Sequence, residues 1–224
     1  PGALSQLTEK EISFLYIPAQ YGLKELSLSA GSIGLPTGIG AFGLALRKYG
    51  FELYKEFSGT ISYSTEVAGV GVGVNFIYHS VSIQNYGSAG TVGVDLGFLT
   101  SIINELYVGC SAKSINSPTI GTSREKLPQS FIFEVGYMPV SNLLVAFDYK
   151  KETSFDSSPR VGIEYRLIDE VAIRTGISDE PVQFAGGIGL SFSMFRIDYA
   201  YSSHEDLGAT HAGSITIVLG GSHE

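Results

Sequence analysis

Tryptophan is absent, cysteine occurs once, and 14 Lys and Arg face 22 Asp and Glu. Each shortage excludes something. A lone Cys110 allows no disulfide framework and no cysteine-built metal site. A net charge of −8, with no Lys/Arg block, leaves nothing to neutralise phosphates, so no nucleic acid is expected as a partner. No run of about 18 apolar residues exists, so no membrane helix is expected. Charged residues make up only 16% of a chain that is 44% hydrophobic, where a soluble domain carries roughly a quarter. Much of the surface is therefore expected to face something other than water. A start at Pro1-Gly2 rather than at Met is expected of a chain cut from a longer precursor, so a missing signal says nothing about compartment.

Glycine and a period of two are abundant. Phe195-Arg196-Ile197-Asp198-Tyr199-Ala200-Tyr201 puts Phe, Ile, Tyr and Tyr on one face and Arg, Asp and Ala on the other. Val161–Leu167, Val171–Ile177 and Phe131–Tyr137 repeat the pattern, which is that of half-exposed strands. About 14 such segments follow one another without a helical period or a linker. The second is expected to begin near residue 24 and the seventh to run to residue 116. Tight connections (Asn104-Glu105, Val140-Ser141, Ile168-Asp169-Glu170) alternate with longer ones (Asn85–Gly90, Thr119–Leu127, Lys151–Ser158). That ordering, with an even strand number, belongs to outer-membrane barrels, which turn tightly on the periplasmic side.

The distribution of apolar residues sets the environment. About 14 strands would enclose a lumen too wide for apolar side chains to fill, since soluble barrels close well at about eight. The aromatic and aliphatic face must then point outward, to lipid. In Ala68-Gly-Val-Gly-Val-Gly-Val-Asn-Phe76, Val70, Val72, Val74, Phe76 and Tyr78 are assigned to lipid and Gly71, Gly73 and Asn75 to the lumen. Glycine there lets the strand curve and leaves room for whatever occupies the interior. On this assignment Val72→Asp is expected to be costly and Gly73→Asp far milder. Tyr63, Tyr78, Tyr137, Tyr149, Tyr165, Tyr199 and Tyr201 supply the interfacial rings in place of Trp. The fold class is thus all-β, an antiparallel up-and-down transmembrane barrel over residues 10–221, with residues 1–9 as the end of a periplasmic plug and 222–224 as a periplasmic tail.

No catalytic pair, cofactor cradle or metal cluster is read from the sequence. Gly38-Ile-Gly40-Ala-Phe-Gly43 matches a dinucleotide fingerprint by letter, but a strand continues where a helix should open. His79, His204, His211 and His223 are dispersed, and His204-Glu205-Asp206 reads as a solvated loop tip. The alternation assigns one group of charges to the lumen, namely Asp148, Lys150, Arg160, Glu164, Arg166, Arg174, Arg196 and Asp198. The turn at Ile168-Asp169-Glu170 would set Glu164 directly opposite Arg174, a favourable cross-strand pair. Ala185, Gly187, Gly189, Ser191 and Ser193 form a smooth strip between charged strands. The group is expected to be either ordinary paired lumen charge or a docking surface for a plug or polar ligand.

Ala185–Phe192, Phe195–Tyr201 and Asp206–His211 resemble the end of PorV/PorQ-family proteins, within the FadL-like superfamily of outer-membrane barrels. Pro1-Gly2-Ala3-Leu4 resembles the close of that superfamily's N-terminal plug, with Glu11-Ile12-Ser13-Phe14 as its first strand. The resemblance implies a 14-strand barrel in the bacterial outer membrane without enzymatic activity. It implies an accessory or binding subunit of an envelope or secretion complex. The alternative is a FadL-like transporter of hydrophobic small molecules, binding such a ligand near the plug.

Overall fold

The computed structural model describes residues 1–121 and 124–220. The expected tail at 222–224, and His223 with it, lie outside the described residues. Fourteen antiparallel strands close into a barrel: β1 (Lys10–Ile17), β2 (Leu28–Thr37), β3 (Gly40–Gly50), β4 (Tyr54–Val67), β5 (Val70–Ile83), β6 (Gly87–Ile103) and β7 (Leu106–Lys113). A two-stranded hairpin, β8 (Thr119–Ile120) with β9 (Glu125–Lys126), lies outside the wall. The wall resumes with β10 (Ser130–Val140), β11 (Leu143–Glu152), β12 (Ser158–Ile168), β13 (Val171–Ser178), β14 (Gln183–Phe192), β15 (Phe195–His204) and β16 (Gly208–Leu219). Each strand pairs with its neighbours in order, and β1 closes on β16 from Lys10↔Leu219 to Tyr16↔Gly213. The closed barrel leaves no edge, as a spanning sheet in lipid requires.

Two-residue turns (Gly38-Ile39, Ala68-Gly69, Asn104-Glu105, Ser141-Asn142, Asp169-Glu170, Ser193-Met194) gather at one end. The longer connections, 18–27 and 114–129 above all, gather at the other. The turn end is therefore periplasmic and the loop end outer. Ala68 (φ 51°) and Gly69 (φ 79°) both take the left-handed conformation of a primed hairpin turn.

Two element ends differ from expectation. Pro18 cannot donate to a ladder, and Tyr21 (φ 55°) and Gly22 (φ 79°) reverse the chain, so Lys24–Leu26 forms a 3₁₀ turn and β2 starts only at Leu28. Beyond Lys113 the strand breaks at Ser114 (φ 54°). The Asn116 side chain then stands in for the lost ladder: its Oδ1 accepts from Val94 N at 3.0 Å and its Nδ2 donates to Val92 O at 2.8 Å.

The outer wall is apolar. Phe14, Phe76, Phe131, Phe133, Ile163, Ile188 and Ile197 are all exposed, so the largest side chains cover the outside rather than a core. Tyr63, Tyr137 and Tyr165 face outward near the turn end, while Tyr16, Tyr78, Tyr149 and Tyr201 do so toward the outer end. These rings form two girdles without tryptophan.

Candidate functional site

The lumen is built from the inner residues of each strand, and its first occupant is the chain itself. Gly2–Gln6 forms a short 3₁₀ helix packed inside the barrel against β3, β4, β5 and β6. Its bed consists of glycine. A Cβ on Gly73 would lie 2.5 Å from the Pro1 carbonyl and 2.8 Å from Gly2 N, and one on Gly97 would lie 2.7 Å from Pro1 Cδ. Gly2 is equally confined, since a Cβ on it would lie 2.9 Å from Gly71 O and from the Phe98 backbone. Ser64, fully buried on β4, shares its one Oγ proton between Val72 O at 2.9 Å and Gly2 O at 3.1 Å. The glycines that alternate with valine along β5 thus make space for a neighbouring backbone. Gly73 is on the lumen face as expected, but the expectation that Gly73→Asp is mild is overturned, because the space it would need is filled.

A cavity of about 540 Å³ lies beside this segment, between it and parts of the inner faces of β1–β5. Pro1, Ala3, Leu4, Gln6 and Leu7 line it from the segment, and Ser13, Ser32, Ala45, Ser62, Asn75 and Glu11 from the wall. A second cavity, of about 650 Å³, lies at the outer end under the loop 114–129. It is lined by Arg47, Glu56 and His79 with Ile120, Leu127 and Pro128, and Tyr54 Oη donates to Glu56 Oε1 at 2.8 Å. Sequence reasoning missed both cavities and the role of Ser64.

The charged group is on the inner face of β11–β15. Glu164 sits directly opposite Arg174, whose Nε donates to Glu164 Oε2 at 2.6 Å. Arg174 also reaches across β14 to Asp198, Nη1 to Oδ1 at 2.5 Å. The smooth strip makes this possible: a Cβ on Gly189 would lie 2.7 Å from Asp198 Oδ1 and 2.9 Å from Arg174 Nη1. Lys150 pairs instead with Glu152, at 2.7 Å, a partner two residues along the same face. Among the described residues Arg160, Arg166 and Arg196 form no ion pair. Asp148, level with Glu134 and Arg160, keeps Oδ1 buried without a hydrogen-bond partner. The N-terminal segment docks across from this wall, on β3–β6, rather than on it.

Arg174 holds two carboxylates that would otherwise repel through a glycine-lined gap. All three groups keep partial solvent contact, so Arg174→Met is expected to cost about 1–2 kcal/mol, the lower range for charged hydrogen bonds. A lowered urea midpoint for unfolding from lipid vesicles checks this. Arg174→Lys should recover only part of the loss, since an ammonium has no planar fork to span both acids.

The GxGxxG letters are a hairpin: Gly38-Ile39 is the turn and Gly40–Gly50 the next strand. His204 closes the turn at 205–207, its Nδ1 accepting from the backbone N–H of Asp206 at 3.1 Å and Leu207 at 3.3 Å.

Among solved structures, the chain is similar to the monoaromatic hydrocarbon channel CymD, with 13% identity, a TM-score of 0.71, and coverage of 100% of this chain and 92% of that one. The toluene transporter TodX of P. putida matches with 11% identity and a TM-score of 0.70, over 100% of this chain and 93% of that one. The chain shares the fold of these outer-membrane barrels. A FadL homologue of Pseudomonas aeruginosa shares it, with 10% identity and a TM-score of 0.66 over 97% of this chain and 92% of that one. No family model matches the chain, and no curated protein does. In this outer-membrane barrel the described lumen therefore combines an N-terminal segment on a glycine bed, an adjoining cavity, and a charged wall facing both.

Proposed function

We propose that the protein is a non-enzymatic channel of the bacterial outer membrane for small hydrophobic or amphipathic molecules, with residues 1–9 as the inner part of a luminal plug. The cavity of about 540 Å³ beside that segment carries the reading. Its apolar side, from Pro1, Ala3, Leu4 and Leu7, suits a hydrocarbon body, and the serines and Asn75 opposite suit a polar end. The fold likeness to hydrocarbon channels supports this reading over an accessory subunit of PorV/PorQ type, which gains no support from the structures the chain resembles. The test is entry of labelled toluene into vesicles with a lipopolysaccharide outer leaflet, which slows passive entry. Entry should require the protein and fall when Ala45→Phe fills the cavity from the wall. Entry equal to that of protein-free vesicles defeats the reading.

A further inference from the structure

The outward charges of the barrel strands have one sign. The acids borne by these strands, from Glu11 to Asp198, are all on the inner face, by register with lumen residues such as Gly34 and Gly189. The strand charges that face lipid are lysines: Lys48, Lys55 and Lys151 near the outer end and Lys10 near the turn end. Lys48 and Lys55 are adjacent. Lys48 pairs with Phe57 and Lys55 with Gly50, a diagonal across β3 and β4 that places them about 7–8 Å apart. Both are exposed, and among the described residues neither forms an ion pair.

Below Lys48 the wall is hollow. On β2 the outward positions Ser29 and Gly31 are small, while the partners of Gly31, Phe14 on β1 and Leu46 on β3, are large. The groove measures about 430 Å³ and is lined by Ile12, Phe14, Leu44, Leu46 and Phe57, with Lys48 at its outer end. Nothing in the fold demands glycine at 31. Its φ is ordinary, and the nearest atom to an added Cβ is Ser13 O at 3.7 Å, an ordinary contact. Glycine in a strand interior weakens it, so the hollow is kept at a cost that packing does not explain. A comparable groove of about 320 Å³ ends at Lys151, but that ammonium already donates to Phe155 O at 2.9 Å.

We propose that the β2 groove binds one acyl chain of a phosphate-bearing lipid of the outer leaflet, whose phosphate sits between Lys48 and Lys55. Apolar walls at chain depth, free cations at headgroup depth and the lack of acid at outward strand positions together match an anionic lipid and disfavour a zwitterionic one, whose own cation would meet the lysines. The site is independent of what passes through the lumen. Native mass spectrometry of the detergent-solubilised chain with dipalmitoyl phosphatidic acid or dipalmitoyl phosphatidylcholine tests it, with folding checked by heat-shifted electrophoresis. Phosphatidic acid should be retained one per chain, about tenfold over phosphatidylcholine. Lys48→Gln with Lys55→Gln should remove that preference, Gly31→Leu should lower retention of phosphatidic acid by a similar factor, and Lys10→Gln should leave it unchanged. Equal retention of the two lipids, or retention of phosphatidic acid untouched by the lysine pair or by Gly31→Leu, overturns the proposal.

Discussion

Gly73→Asp is expected to expel residues 1–7 from the barrel wall. A Cβ at this position would meet the Pro1 carbonyl and Gly2 N well inside contact distance, and both are backbone, with no side-chain rotation to relieve the clash. The segment has nowhere to slide, because Gly2 is itself wedged against Gly71 O and the Phe98 backbone. Losing the bed also breaks the bond that Ser64 donates to Gly2 O. Amide exchange across residues 2–7 should accelerate by tenfold or more, on the order expected when a protected element opens locally. Ala185→Asp is the control, on the inner face of β14 but remote from the segment, and should leave exchange there unchanged. Protection that survives Gly73→Asp contradicts the docking.

Phe76→Arg should give the largest loss of stability among single wall substitutions. Phe76 is central in β5, faces outward between Ile61 and Val94, and is 53% exposed to what would be hydrocarbon. An arginine there costs about 2–4 kcal/mol, as charge near the bilayer midplane does in barrels. Val72, the position the alternation first suggests, is only two residues from the start of β5, near the interface, where charge is better tolerated. Ala185→Arg, on the lumen face, should change stability little. Urea unfolding from vesicles measures all three, and equal losses for Phe76→Arg and Ala185→Arg would reverse the facing of the wall.

Much of this was legible in the sequence because strand alternation has a period of two, and a one-residue slip would move every side chain to the wrong medium. That constraint yields the strand number, the lipid face of Val70 to Tyr78 and the Glu164–Arg174 register. Ends were less legible where side chains act as backbone: Asn116 continues the β6 ladder, so residues 114–116 look like strand to a pattern and form a loop in space. Contacts that skip a strand were not legible. Arg174 reaching Asp198 depends on Gly189 between them, and pairwise register says nothing about a side chain that passes over its neighbour. Glycine at 71 and 73 signalled space, yet only the packing shows that Pro1 to Ser5 fill it.

Native mass spectrometry of the protein released gently from its own membrane tests the central claim most directly. A channel with a ligand cavity beside its N-terminal segment predicts a fatty or aromatic molecule carried in fixed stoichiometry, lost in Ala45→Phe. A ligand-free barrel bound instead to a larger envelope protein would contradict that claim and make the chain an accessory subunit.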